Sequence, residues 1–136
     1  MSKEFFSIEE FKNRWAKVRS SMKSSNIELL MVISPTNINY LIGTPAKGYQ
    51  EFEALLFPID SDPMVMMTRR SEVEMMNDYS LADEVYGWGG QEPEDPIDAL
   101  YKLMSEKNLL NKKIGIEVPY YYLHPFEYKK LSEMLE

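Results

Sequence analysis

The sequence predicts an α/β domain with a mixed β-sheet flanked by helices, and three observations predict it. Segments with apolar residues every three or four positions alternate with short continuous apolar runs, the pattern of helices between covered strands. One pair of apolar runs is separated only by Asp60-Ser61-Asp62-Pro63, so one connection is an antiparallel hairpin, while the later strands are joined through helices. The chain has 136 residues, 44% hydrophobic and 27% charged, enough to bury one core as a single domain over residues 1–136.

The first helix starts at a capping box, Ser7 with Glu10, and Phe6 is placed to staple onto Phe11. Ile8, Phe11, Trp15, Val18 and Met22 form its apolar stripe, and Asn26 is its stop. The run "LLMVI" at 29–33 is a strand covered on both faces. "SPTNINYLIG" at 34–43 reads as a tight, turn-like segment. Asn37 and Asn39 hydrogen-bond local backbone, Tyr40 and Leu41 anchor it to the core, and Gly43 permits a sharp exit. The hairpin covers "EALLFPIDSDPMVMMT", and residues 69–78 are helical with Val73 and Met76 inward. "DEVYGW" is a strand ended by Gly89-Gly90. Asp95 caps a helix with Pro96 in its first turn and Ile97, Leu100, Tyr101 and Met104 inward. "KIGIEV" is a strand, and Pro125 starts a last helix with Tyr128, Leu131 and Leu135 on one side. That helix reads as still running at "SEMLE", which suggests a cut from something longer.

Composition excludes several function classes. The net charge of -7 argues against a nucleic-acid or anionic membrane partner, since both call for clustered Lys and Arg. Without cysteine there is no disulfide, thiolate nucleophile or zinc–cysteine site. No apolar run reaches a membrane span, and "MSKEFFSIEE" lacks a signal-peptide core, so the expected location is cytoplasmic.

Catalytic sets are missing as well. His124, the single histidine, precedes Pro125 at a helix start and reads as a cap rather than a general base. The acidic clusters "QEPEDP" and "IDSDP" lack the glycine-centred calcium-loop pattern, and no phosphate-cradling glycine motif is present. The methionines of "PMVMMT" and "EMM" fall on expected core faces. The chain therefore carries no assigned catalytic residue and no assigned metal ligand. A nuclease would need carboxylates converging at strand ends, which the apolar strands do not supply.

One stretch carries a resemblance. "SPTNINYLIG", followed by an aromatic-bearing loop and "EALLFP", resembles the N-terminal domain of the creatinase/prolidase/aminopeptidase P family, the pita-bread hydrolases. "FKNRWAKVRSSMKSSNIELLMV", "DPMVMMTRRSEVE" and "KIGIEVPYYYL" are similar to its opening helix and strand, its hairpin exit and its late strand, in the right order. The resemblance implies a ribonuclease-H-like α/β fold of the creatinase N-terminal type. It implies that catalysis belongs to a separate C-terminal domain absent from this chain, which holds two divalent metal ions (Mn, Co or Zn) in the peptidases and none in creatinase. The N-terminal domain then needs no cofactor of its own. It supports a homo-oligomer and lends loop residues to a substrate site, often a neighbouring subunit's.

Creatinase-like members touch substrate with an aromatic and an arginine in the loop after the asparagine motif. An ungapped count places Tyr49 on the aromatic position and Glu51 on the arginine position. The glutamate departs from the pattern, because a carboxylate repels a substrate carboxylate. The expected parent is thus a prolidase-like or related small amide hydrolase, an Xaa-Pro dipeptidase, rather than a creatinase. The alternative is a free-standing small-molecule binding or interaction module on the same fold.

Overall fold

The structure, a computed structural model, describes residues 6–44 and 51–136. The chain forms α1 (Ile8–Ser24), β1 (Leu29–Val32) and α2 (Pro35–Ile42), then the hairpin strands β2 (Ala54–Pro58) and β3 (Val65–Arg69). A 3-10 turn (Arg70–Glu72) runs into α3 (Val73–Tyr79). β4 (Glu84–Trp88), α4 (Pro96–Glu106), β5 (Ile114–Ile116) and α5 (Pro125–Met134) follow.

The strands make one sheet in the order β4-β3-β2-β1-β5. β1 pairs antiparallel with β2 and parallel with β5, while β3 pairs antiparallel with β2 and parallel with β4. Only β2 runs against the rest, so the carboxyl ends of four strands and the start of β2 share one end of the sheet. Alternation along each strand divides the core. Met31, Leu56 and Met67 face α4 and α5, packing with Ile97, Leu100 and Leu131. Val32, Leu55 and Met66 face α1, α2 and α3, packing with Met22, Ile38 and Met76. The mixed α/β sheet is thus as the sequence predicts, and Met31, Met64, Met66, Met67, Met76 and Met104 are all buried core residues.

Local signals set the helix ends. Ser7 Oγ accepts from the Glu10 amide at 3.2 Å, and the Phe6 and Phe11 rings meet edge-on at 6.2 Å. The Glu10 carboxylate turns to Arg14 instead, accepting from Nε at 3.1 Å. Asn26 ends the α1 region with a left-handed φ of 59°. Asp95 accepts from the Ile97 amide at 2.8 Å, and Lys130 ties α5 to α4 through Asp95 at 2.8 Å and Asp98 at 2.7 Å. His124 is the N-cap residue of α5, its amide donating to Glu127 at 2.9 Å.

Four expectations need correction. Residues 35–42 are a helix rather than a turn: Pro35 sits in the first turn, Ile38, Leu41 and Ile42 form a buried face, and Gly43 closes it at a left-handed φ of 70°. Tyr40 does not anchor this segment in the core; it is exposed under the Arg14 guanidinium, 4.6 Å from its ring centroid. Tyr101 and Tyr128 are exposed too, because Leu103 and Leu131 supply the buried positions on their helices. Finally, α5 closes at Met134, with Leu135 as its C-cap.

β4 and the 3-10 turn approach so closely that only glycine fits at position 87. A Cβ there would lie 2.8 Å from Arg70 Cα and 2.8 Å from Val73 Cγ2. Gly87→Ala is expected to cost about 2 kcal/mol, the usual scale for overpacking against backbone. Chemical denaturation should show the midpoint falling with an unchanged slope.

Candidate functional site

The shared end of the sheet collects the polar groups of interest. α2 lies there and is secured at both ends. Ser34 offers no side-chain cap. Glu117, just past β5, takes that role: its Oε1 accepts from the Ile33 amide at 2.9 Å and the Ser34 amide at 2.5 Å, and its Oε2 accepts from the Asn37 side chain. A carboxylate at a helix N-terminus also meets the positive end of the helix dipole. At the other end, Arg14 donates to the Tyr40 carbonyl at 3.0 Å and Trp15 to the Leu41 carbonyl at 2.7 Å. These are carbonyls of the last turn, which lack helical partners.

Glu51 lies shortly before β2. Tyr49 lies outside the described residues. Glu51 stands at the surface, its Oε1 accepting from Arg69 Nη1 at 3.0 Å, with side chains 41% and 52% exposed respectively. The hairpin brings this pair together, since Ala54 pairs with Met67 in the β2–β3 register. Arg69 was not singled out from the sequence; the hairpin register was the available signal. Two residues beyond Glu51, Glu53 is only 4% exposed, and its Oε1 has no hydrogen-bond partner among the described residues. Burial, and next the Glu72 charge, push its carboxyl up to about 7, against a hydrogen bond with Thr68. Beside it, Trp88 donates from Nε1 to the Phe52 carbonyl at 2.8 Å.

The arrangement presents one exposed guanidinium paired with a surface carboxylate, and one buried carboxyl that burial favours in its neutral form. A metal centre does not fit it: among the described residues no three His, Cys, Asp or Glu side chains stand together to hold an ion. None of the described helices is long and apolar enough to cross a membrane.

Comparison with known proteins agrees with the architecture. The Creatinase/Prolidase N-terminal domain family matches residues 14–136. The uncharacterized hydrolase/peptidase y4tM of Sinorhizobium fredii is 39% identical over 57 residues, which is 42% of this chain and 14% of that protein. Its companion y4tL, from the same organism, is 27% identical over 124 residues, 86% of this chain and 32% of that protein. The chain thus spans at most about a third of the length of these curated relatives. The solved N-terminal domain of Xaa-Pro dipeptidase from Lactobacillus brevis superposes with a TM-score of 0.73 at 17% identity, covering 90% of this chain and 88% of that one. With a family match running from Arg14 to the last residue and the same fold in a solved relative, the chain belongs to the Creatinase/Prolidase N-terminal domain family.

Proposed function

We propose that the chain is the non-catalytic N-terminal domain of a cytoplasmic prolidase/creatinase-like hydrolase, an Xaa-Pro dipeptidase or related amide hydrolase. In it the domain supports oligomerisation and lends residues to the substrate site. The two divalent ions of such an enzyme (Mn, Co or Zn) belong to its catalytic domain.

The observation that carries this reading is the Glu51–Arg69 pair at the rim of the sheet. Glu51 stands where creatinase-like members place an arginine, and the hairpin sets a guanidinium beside it. An ion pair this exposed is worth about 1 kcal/mol at most. A substrate carboxylate can displace Glu51 and take the Arg69 fork at little cost, with the geometry that favours arginine for this task. Tyr49 would supply the aromatic contact. Oligomerisation has its own support in exposed aromatic surface. Tyr120 and Tyr121, between β5 and α5, and Phe126, in the first turn of α5, are exposed, whereas Tyr122 turns at a φ of 77° and packs on the core. Aromatic residues of this kind are enriched at interfaces.

The test uses the full-length hydrolase with an Xaa-Pro dipeptide. Arg69→Ala should raise KM about tenfold, the scale of one lost charge-assisted hydrogen bond, with kcat little changed. Glu51→Ala should lower KM, because the competitor of the substrate carboxylate is gone. Both should leave domain stability within about 0.5 kcal/mol of the parent. An unchanged KM in both variants would remove the substrate role.

A further inference from the structure

We propose that the free edge of β4 docks an extended basic segment of a partner protein, added to the sheet as a further antiparallel strand. β4 and β5 are the outer strands, and β4 is the longer, five residues against three. The Glu84 amide donates to the Met64 carbonyl at 3.2 Å, so Glu84, Tyr86 and Trp88 turn their backbone groups to β3. Val85 and Gly87 alternate with them, and each turns an N–H and a C=O away from the sheet. These outward groups have no partner among the described residues. The edge closes just beyond them: the Gly89 amide donates to Glu94 Oε1 at 3.0 Å, and the Gly89 carbonyl accepts from Arg70 Nε at 2.9 Å. Natural edges are ordinarily blunted by lysine, proline or a bulge. β4, Glu-Val-Tyr-Gly-Trp, has none of these, and its one charge is held by Lys107, with Nζ 2.8 Å from Glu84 Oε1.

A groove of about 730 Å³ accompanies this edge. Val85 and Gly87 line one side, and Val73, Glu74, Asn77 and Asp78 of α3 line the other. None of its lining comes from β3, so it opens on the outer side of β4. In an antiparallel pair, residues that exchange hydrogen bonds stand directly opposite each other, with side chains on the same face. The residues paired with Val85 and Gly87 therefore point into this groove, towards Glu74 and Asp78. Both carboxylates are exposed, and neither joins an ion pair among the described residues. Arg70 also lines the groove, but its Nε is committed to the Gly89 carbonyl. A lysine or arginine entering here meets those carboxylates while its methylenes cover Val73 and Val85. An acidic segment would be repelled. A second copy, paired antiparallel through its own β4, would bring its α3 to the same face and set Glu74 and Asp78 against their equivalents. The basic segment is thus the occupant that satisfies both the backbone and the charge, and it does not depend on the substrate role given to Glu51 and Arg69.

Three capped pentapeptides separate the two contributions: Val-Lys-Val-Lys-Val, its Val-Glu-Val-Glu-Val counterpart, and the lysine peptide with both lysine amides N-methylated. Titration followed by two-dimensional NMR of the protein should give saturable shifts for the lysine peptide at a Kd on the order of 1 mM. The shifts should centre on the Val85, Tyr86 and Gly87 amides, and hydrogen exchange at Val85 and Gly87 should slow when the peptide is bound. The glutamate peptide and the N-methylated peptide should give no saturable shifts, the first for its charge and the second for its missing donors. The paired substitution Glu74→Gln with Asp78→Asn, both at exposed sites, should weaken the lysine peptide about fivefold. Equal binding of the glutamate peptide, binding that survives N-methylation, shifts centred elsewhere, absence of saturable binding, or unchanged affinity in the paired variant would each overturn the proposal. So would shifts at Val85 and Gly87 that grow with protein concentration alone, which would give the edge to a second copy.

Discussion

Replacing Glu53 by Gln should stabilise the domain by about 3 kcal/mol at pH 8 and leave it nearly unchanged at pH 4. Glu53 is a buried carboxyl just before β2, with one oxygen unmatched and Glu72 near it. Folding raises its pKa from an ordinary 4.5 to about 7. Below 4.5 the group is protonated in both states and imposes no penalty. Between 4.5 and 7 the unfolded chain ionises freely while the folded one resists, so stability falls as pH rises. Above 7 the penalty is complete and level. The amide of Gln keeps the size and a bond to Thr68 but has no charge to bury. Urea unfolding of both proteins from pH 4 to 8 measures the difference. Parallel profiles would mean that Glu53 is not buried as a charge. Glu84 and Asp95 contribute with opposite sign. Their carboxyls are held low chiefly by hydrogen bonds from Lys107 and Lys130, so their support is present at neutral pH and fades in acid. The parent domain should therefore be most stable in the mildly acidic range between these effects.

Glu117→Ala should cost about 3 kcal/mol, several times the roughly 1 kcal/mol expected for Asn37→Ala. The carboxylate accepts from two backbone amides and one side chain. Ile33 is fully buried, so its amide has no water to turn to when the acceptor is removed. Asn37 is exposed and regains solvent after truncation. Glu117→Gln should fall between the two, retaining an acceptor but losing the charge at the helix start. Thermal or urea denaturation of the three variants checks the order. A Glu117→Ala loss no larger than that of Asn37→Ala would mean that the helix start is held by other contacts.

The sequence was most legible where the signal and its effect are neighbours. Ser7 lies three residues from Glu10, Asp95 adjoins Pro96, and Asp60 to Pro63 separate two paired strands; each predicted its element. The family resemblance was legible through the asparagine motif and the order of the segments. The helical state of that motif was not. Its two asparagines favour turns locally, while the groups that secure the helix, Arg14, Trp15 and Glu117, stand far off in sequence. Of the surface ion pair, Glu51 was singled out by counting from the motif, whereas Arg69 emerges only from hairpin register. Glu53 was passed over because a charged residue before an apolar run is ordinarily solvated. Its burial follows from its neighbours Phe52 and Ala54, both packed in the core, the latter as the first residue of β2. The outward tyrosines were misread for a related reason. Helical spacing identifies a face but not which of two large side chains at its margin wins the interior.

The carboxylate that caps α2 has a consequence for the order of synthesis. A ribosome releases residues 35–42 long before it reaches position 117, and Glu117 and Asn37 are 80 residues apart. An eight-residue helix is too short to persist alone. Until β5 emerges and docks beside β1, the nascent chain has α1, the hairpin and β4 available, but the start of α2 lacks its carboxylate acceptor. Closing so long a loop is slow compared with pairing a hairpin. Residues 35–42 thus acquire their final shape late, when the last strand takes its place at the sheet edge. The start of α2 is set only after the other four strands have been made.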